Sequence, residues 1–145
     1  MSKRNVARPI GKAYFDLLNN MVIEGHTVPF VHMRAAYSKS KPFIRLLSLT
    51  AFDENTKDAF DCTATVDLEV HTSFPGDFGN MDLADAIADE LFARVMPEPG
   101  KSGIQAPGLN IISAKMLEMR DRDEWNGKES KYQKFITIEH IVFQK

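Results

Sequence analysis

The chain predicts an α+β fold: a mainly antiparallel sheet with two helices packed on one face. Three observations carry this. Residues 62–74 alternate strictly between apolar and polar, two separated stretches repeat apolar residues at helical spacing, and the C-terminal third reads as two strand-like runs around Asn126-Gly127. Strands joined in sequence by short turns favour antiparallel pairing, and a sheet with one apolar face needs helices to cover it. The predicted order is α-β-β-β-α-β-β with a long C-terminal hairpin.

The first helix is predicted from about Pro9 to Met21. Proline suits a first helical turn, and Ile10, Ala13, Tyr14, Leu17, Leu18 and Met21 form one stripe. Gly25 is available to end or redirect it. Val28 to Met33 reads as a short strand entered at Pro29, and Ser38 to Pro42 as a polar linker. Phe43 to Phe52 is an apolar run of strand length, and Asp53 to Asp61 a polar connection. In the strand Cys62 to Phe74, Cys62, Ala64, Val66, Leu68, Val70 and Phe74 share one face. Thr63, Thr65, Asp67, Glu69, His71 and Ser73 share the other, which meets water or a partner.

Pro75-Gly76 breaks that strand. The second helix is predicted from about Met81 to Met96, capped by Asn80 or Asp82, with Leu83, Ala84, Ile87, Ala88, Leu91 and Val95 as its apolar stripe. Pro97 stops it, and residues 97–108, with three prolines and three glycines, form a loop. Leu109 to about Glu118 and Gln133 to Phe143 are the last two strands. Between them lies a charged tip, and Asn126-Gly127 predicts a type I′ turn, in which both central residues take positive φ.

At 145 residues the chain is one domain, residues 9–145, preceded by a flexible basic arm, residues 1–8. Hydrophobic residues at 43% and charged residues at 26% belong to a folded protein rather than a disordered one. A net charge of -2 argues against an overall attraction to nucleic acid or to anionic membrane. No apolar run approaches the roughly 18 residues of a bilayer span, so no membrane partner is expected. The single cysteine, Cys62, excludes an intrachain disulfide. The N-terminus lacks the continuous apolar segment of a signal peptide, which points to assembly in the cytoplasm.

Catalytic chemistry finds little support. His26, His32, His71 and His140 belong to no HExxH or Cys/His zinc spacing. Asp67, Glu69 and His71 project from one strand face, but at roughly 7 Å apart they cannot close on one ion unaided. No metal or cofactor is expected. Cys62 opens a core-facing register and reads as a buried inert thiol. Gly100-Lys101-Ser102 imitates the end of a P-loop, yet Val95 stands where the upstream glycine is needed and the segment follows a helix. Asp53/Glu54 and Asp123/Glu124 fall in predicted loop tips, where nothing would raise a carboxyl pKa for acid work. The reading is therefore not an enzyme.

Two features ask for a partner. The predicted tip is dense in both charge signs and carries Trp125, the only tryptophan, which reads either as an interface anchor or as an aromatic folded on its own hairpin. The basic residues Lys3, Arg4, Arg8 and Lys12 read as a solvated end, or one draped over a neighbouring subunit, in preference to a nucleic-acid contact.

The leading amphipathic helix, the strand entry Lys41-Pro42-Phe43-Ile44, the strand ending Val70-His71-Thr72, the alanine-rich helix Leu83 to Leu91 and a final hairpin marked by Met119-Arg120-Asp121 and Tyr132 occur in an order that resembles the tail terminator, or tail-completion, family of long-tailed bacteriophages. The resemblance covers about residues 9 to 143 and rests on element order and apolar positions, without a catalytic signature. It implies a structural virion protein at the tail–head junction. Such a protein forms a ring, typically a hexamer, that caps the tail tube and ends its polymerisation. It also joins a head-completion or neck protein and lets genomic DNA pass through its lumen. The long loop Pro97 to Gly108 and the charged tip depart from shorter family members. On this reading Arg120, Asp121, Arg122, Asp123, Glu124 and Trp125 dock the tube or a neighbour. Asp53, Glu54, Asp58, Phe60 and Asp61 lie in a subunit interface, with Phe60 an apolar residue among charges. A neck or head-completion ring protein is the nearest alternative. A small dimeric protein binding a metabolite between helix and sheet is the second.

Overall fold

A computed structural model describes residues 2–32, 42–54, 60–77 and 79–145. Helix α1 (Ala7–Leu18) leads into the short strands β1 (Met21–Ile23), β2 (His26–Val28) and β3 (Phe30–His32). Strands β4 (Phe43–Asp53) and β5 (Asp61–Pro75), helix α2 (Asp82–Val95) and strands β6 (Leu109–Trp125) and β7 (Glu129–Gln144) follow. The main sheet has the order β3-β4-β5-β7-β6. Only the β3–β4 pair is parallel, and β1 with β2 forms a separate two-stranded ribbon. This is the predicted α+β class with its long C-terminal hairpin; the order is α-β-β-β-β-β-α-β-β.

The added strands come from the segment after α1. The helix ends three residues before the predicted Met21, because Asn19 turns extended and Asn20 takes a φ of 59°. Met21 stays buried at 1% exposure but sits on a strand. Glu24 (φ 49°) and Gly25 (φ 81°) then make the tight turn of the β1–β2 ribbon, so Gly25 redirects a hairpin and not a helix. The predicted strand from Val28 to Met33 divides at Pro29, which has no N–H for a ladder. Val28 pairs with Met21, while Phe30 pairs with Ile44. The Pro29 carbonyl accepts from Ile44 N–H at 2.9 Å. Met33 and the linker as far as Lys41 lie outside the described residues.

The alternation of β5 sets the two faces. Cys62, Ala64, Val66, Leu68 and Val70 are buried with Ile10, Tyr14 and Leu18 of α1 and with Leu83, Ile87, Leu91 and Val95 of α2. Both helices therefore lie on the same side of the sheet. They are tied to each other where Arg94 Nη1 donates to the Leu17 carbonyl at 2.9 Å, satisfying one of the carbonyls left open at the end of α1. Asn80 Oδ1 accepts from Asp82 N–H at 2.9 Å at the start of α2, within the predicted capping region. Gly103 N–H closes the other end of α2 on the Val95 carbonyl at 2.7 Å. A side chain at Gly103 would collide with the Arg94 carbonyl.

The hairpin departs most from expectation. Strand β6 continues through the charged segment to Trp125, and β7 begins at Glu129, so Arg120 to Trp125 are strand and not a loop tip. Asp123 and Glu124 pair with Tyr132 and Lys131, and Asp53 is likewise the last residue of a strand. Gly127 has a φ of 88°, but Asn126 is not in the left-handed region, so the turn is not the predicted type I′. The Asn126 side chain instead accepts from the N–H groups of Lys128 and Glu129 at 2.9 and 2.8 Å.

Candidate assembly surfaces

Beneath the surface, the core contains two polar devices that hold the hairpin. His140, on the helix-facing side of β7, is fully buried, and its Nε2 lies 2.5 Å from the Tyr14 hydroxyl. Its Nδ1 lies 3.0 Å from the Ser113 carbonyl, so Nδ1–H donates to Ser113 and Nε2 accepts from Tyr14. Burial pushes the imidazole below its ordinary value despite the Ser113 bond, and burial raises the Tyr14 phenol. Lys134, 2% exposed, reaches Asp85 of α2 at 2.6 Å and Asp121 of β6 at 2.7 Å. Burial works to lower its pKa, but the two carboxylates outweigh burial and raise it. These devices connect helix layer, β7 and β6. Neither was found from sequence, although Lys134 and His140 stand at every-second positions with Ile136, Ile138 and Val142, where a polar residue needs a buried partner.

The face of the sheet away from the helices mixes polar side chains with Phe43, Phe52, Phe135, Ile141 and Phe143. Glu69 holds Arg45 and His71 at 2.9 Å each, and His71 stacks on Phe43 with ring centroids 4.7 Å apart. Burial opposes the Glu69 charge, but His71 and Arg45 prevail and hold its carboxyl below the usual range. Asp67 accepts from Ser48 at 2.6 Å and Thr137 at 2.8 Å. Asp67, Glu69 and His71 are thus engaged by neighbours in the sheet. Among the described residues no three potential ligands come together around a metal position.

Of the six docking candidates in the hairpin, Asp121 is bound to Lys134, while Arg120 stacks over Phe135 at 5.4 Å and pairs with Glu118 at 3.2 Å. Arg122 approaches Glu124 at 4.0 Å. Asp123 is exposed, and Trp125 stands 51% exposed at the end of the strand, opposite Ser130. That end is braced, since the Ser130 hydroxyl donates to the Gly76 carbonyl and the Tyr132 hydroxyl to the Gly79 carbonyl.

The interface candidates gather at the opposite end of the sheet. Asp53 pairs with Lys3 of the N-terminal arm, Glu54 N–H donates to the Asp61 carbonyl, and the Phe60 carbonyl accepts from Gln144 N–H. Asp58 lies outside the described residues. The arm follows the same end: Arg4 N–H donates to Gln144 Oε1, and Gln144 Nε2 donates to the Ser2 carbonyl. Lys3, Arg4, Asp53, Phe60, Asp61 and Cys62 line a cavity of about 260 Å³ there. Burial, followed by nearby Asp53, pushes the Cys62 thiol up, away from nucleophilic chemistry.

Sequence reasoning missed the sheet's edges. Strand β6 forms one edge along its whole length. At the other, β3 covers only Ile44 to Leu46 of β4, so among the described residues no strand lies beside Leu47 to Asp53. The pairing shifts by one residue between Leu46 and Ser48, between Ile111 and Ser113, and between Met116 and Glu118. The extra residue at each bulge is apolar and exposed: Leu47 at 40%, Ile112 at 46% and Leu117 at 46%. Phe52 at 60% and Met116 at 41% add to these edges.

Among the described residues no helix is long and apolar enough to cross a membrane. No protein-family model matches the chain, and no curated protein matches it in sequence. Its fold is similar to that of a chain in the virion of a native gene transfer agent particle. The TM-score is 0.69 at 12% identity, over 97% of this chain and 99% of that one.

Proposed function

We propose that this chain is a structural protein of a phage-like virion, and specifically a ring-forming tail terminator. The observation that carries the reading is the end-to-end likeness to a chain of a gene transfer agent virion, in which neither chain leaves a sizeable part unmatched. The element order that resembles tail terminators agrees with it independently. Copies of the chain, six on the family's usual pattern, form a ring that caps the tail tube. The ring stops addition of tube subunits, receives a head-completion or neck protein and lets genomic DNA pass. The site is the virion's tail–head junction, and the work is assembly rather than catalysis. The surface from Arg120 to Trp125 docks the tube or a neighbour. The end that carries Asp53, Glu54, Phe60 and Asp61 meets an adjoining subunit, and Asp58, outside the described residues, is assigned to the same interface from the sequence.

The test is capping. Tail tubes assembled from the tube protein of the same particle are mixed with it and imaged by electron microscopy. Added density at one end only, together with an arrest of tube lengthening, is the expected result. Density that binds isolated neck or portal complexes and never tube ends supports the neck-ring alternative instead.

A further inference from the structure

Among the described residues the sheet has two open edges, and they match each other. Following the hydrogen-bonded rows across the sheet, Phe52 lies level with Thr63, Ile141 and Ser113, and Thr50 with Thr65, Glu139 and Lys115. Leu49 lies level with Val66, Ile138 and Met116, and Ser48 with Asp67, Thr137 and Glu118. The part of β4 with no described strand beside it, Leu47 to Asp53, where Asp53 also pairs with Lys3 of the arm, is therefore level with Ile111 to Glu118 of β6. Within these stretches the bulged Leu47 falls beside the row of the bulged Leu117, and Phe52 in the row next to the bulged Ile112. Both apolar pairs are separated by five positions along their strands.

Direction matches as well. Strands β4 and β5, β5 and β7, and β7 and β6 are each antiparallel, so β6 runs opposite to β4. A rotation about an axis running roughly along the strands leaves each strand's direction unchanged. It would bring β6 of one copy beside β4 of the next as an antiparallel pair, the arrangement a two-edge sheet needs to continue between subunits. A two-fold dimer through β6 alone would leave the β4 edge and Phe52 uncovered. The bulges and the charged Lys115 and Glu118 limit indiscriminate pairing at these edges, which still carry exposed Leu, Ile and Met.

We infer that copies of this chain join head to tail by sheet extension. Residues Ile111 to Glu118 of β6 pair antiparallel with Leu47 to Asp53 of β4 in the next copy, with Thr50 opposite Lys115 and Phe52 opposite Ser113. The occupant of each edge is a second copy of the chain. Apolar contacts form between Phe52 and Ile112 and between Leu47 and Leu117. The bulges bend the edge strand, as strands at the rims of closed sheets do. This rests on the ring reading above and specifies its subunit interface.

Cysteines placed at Thr50 and Lys115, both exposed, test it with a short bismaleimide, the buried Cys62 of the unsubstituted chain serving as control. T50C alone and K115C alone give no linked product. A mixture of the two gives dimers, and the T50C/K115C double variant gives a ladder ending in a closed species. Self-linking of K115C would show a two-fold contact and overturn the proposal. Absence of linking in the mixture, while rings persist by mass, overturns this interface and leaves the ring reading standing. A chain that stays monomeric and never caps tubes overturns both. As a second readout, I112E/L117E lowers the particle mass about sixfold with an unchanged far-UV circular dichroism spectrum; unchanged mass contradicts the proposal.

Discussion

Tyr14 and His140 show what a buried polar pair demands of its surroundings. The imidazole is neutral in the folded protein, with one nitrogen donating to Ser113 and the other accepting from Tyr14. Its pKa is lowered by burial, whereas in the unfolded chain it returns to about 6.5. Below that value the unfolded chain binds a proton that the folded one does not, so stability falls with falling pH. The fall begins near pH 6.5 and continues until the lowered native value is passed. Glu69, whose pKa is also lowered, adds a separate loss below the ordinary carboxylate range, since its ion pairs require the charge. Urea unfolding midpoints should therefore drop between pH 7.5 and pH 5.5. His140→Gln, which keeps an acceptor and a donor but does not titrate, should flatten that slope. An unchanged slope would mean that His140 is not the titrating group.

At the scale of elements, the hairpin β6–β7 is held to the helix layer by Lys134 between Asp85 and Asp121. Lys134→Ala should cost about 2 kcal/mol in urea unfolding, the range for hydrogen bonds to charged groups, while Lys134→Met, which keeps the aliphatic stem, should cost less. Equal losses for the two would place the effect in the ammonium alone. Legibility in the sequence followed burial. Strand β5 has one face sealed by helices, so its period of two was readable from Cys62 to Phe74 and extends by one residue at each end. Helix α2 was readable for the same reason. Residues Met119 to Trp125 of β6 are exposed, so no apolar rhythm marks them, and their charges suggested a loop. The β1–β2 ribbon was hidden because Met21 continues the stripe of α1 in sequence while its backbone has already left the helix. The edge surfaces were harder still. Leu47, Ile112 and Leu117 become exposed through bulges, and a bulge changes which face a residue takes without leaving a mark in composition.

For the whole molecule, the helix layer seals one face of the sheet, hydrogen-bonded polar residues share the other with Phe52 and Ile141, and among the described residues two edges with exposed apolar residues lie open at the same level. Edges left open at both sides suit a subunit that continues into its neighbours, as a heterologous ring requires. The central claim is that such a ring forms, and the most direct measurement is the particle mass by light scattering across concentration, followed by negative-stain imaging of the same sample. Six copies of the 16.4 kDa chain predict closed rings of about 98 kDa. A two-fold dimer of about 33 kDa at every concentration, unchanged when tail tubes are added, would contradict the account.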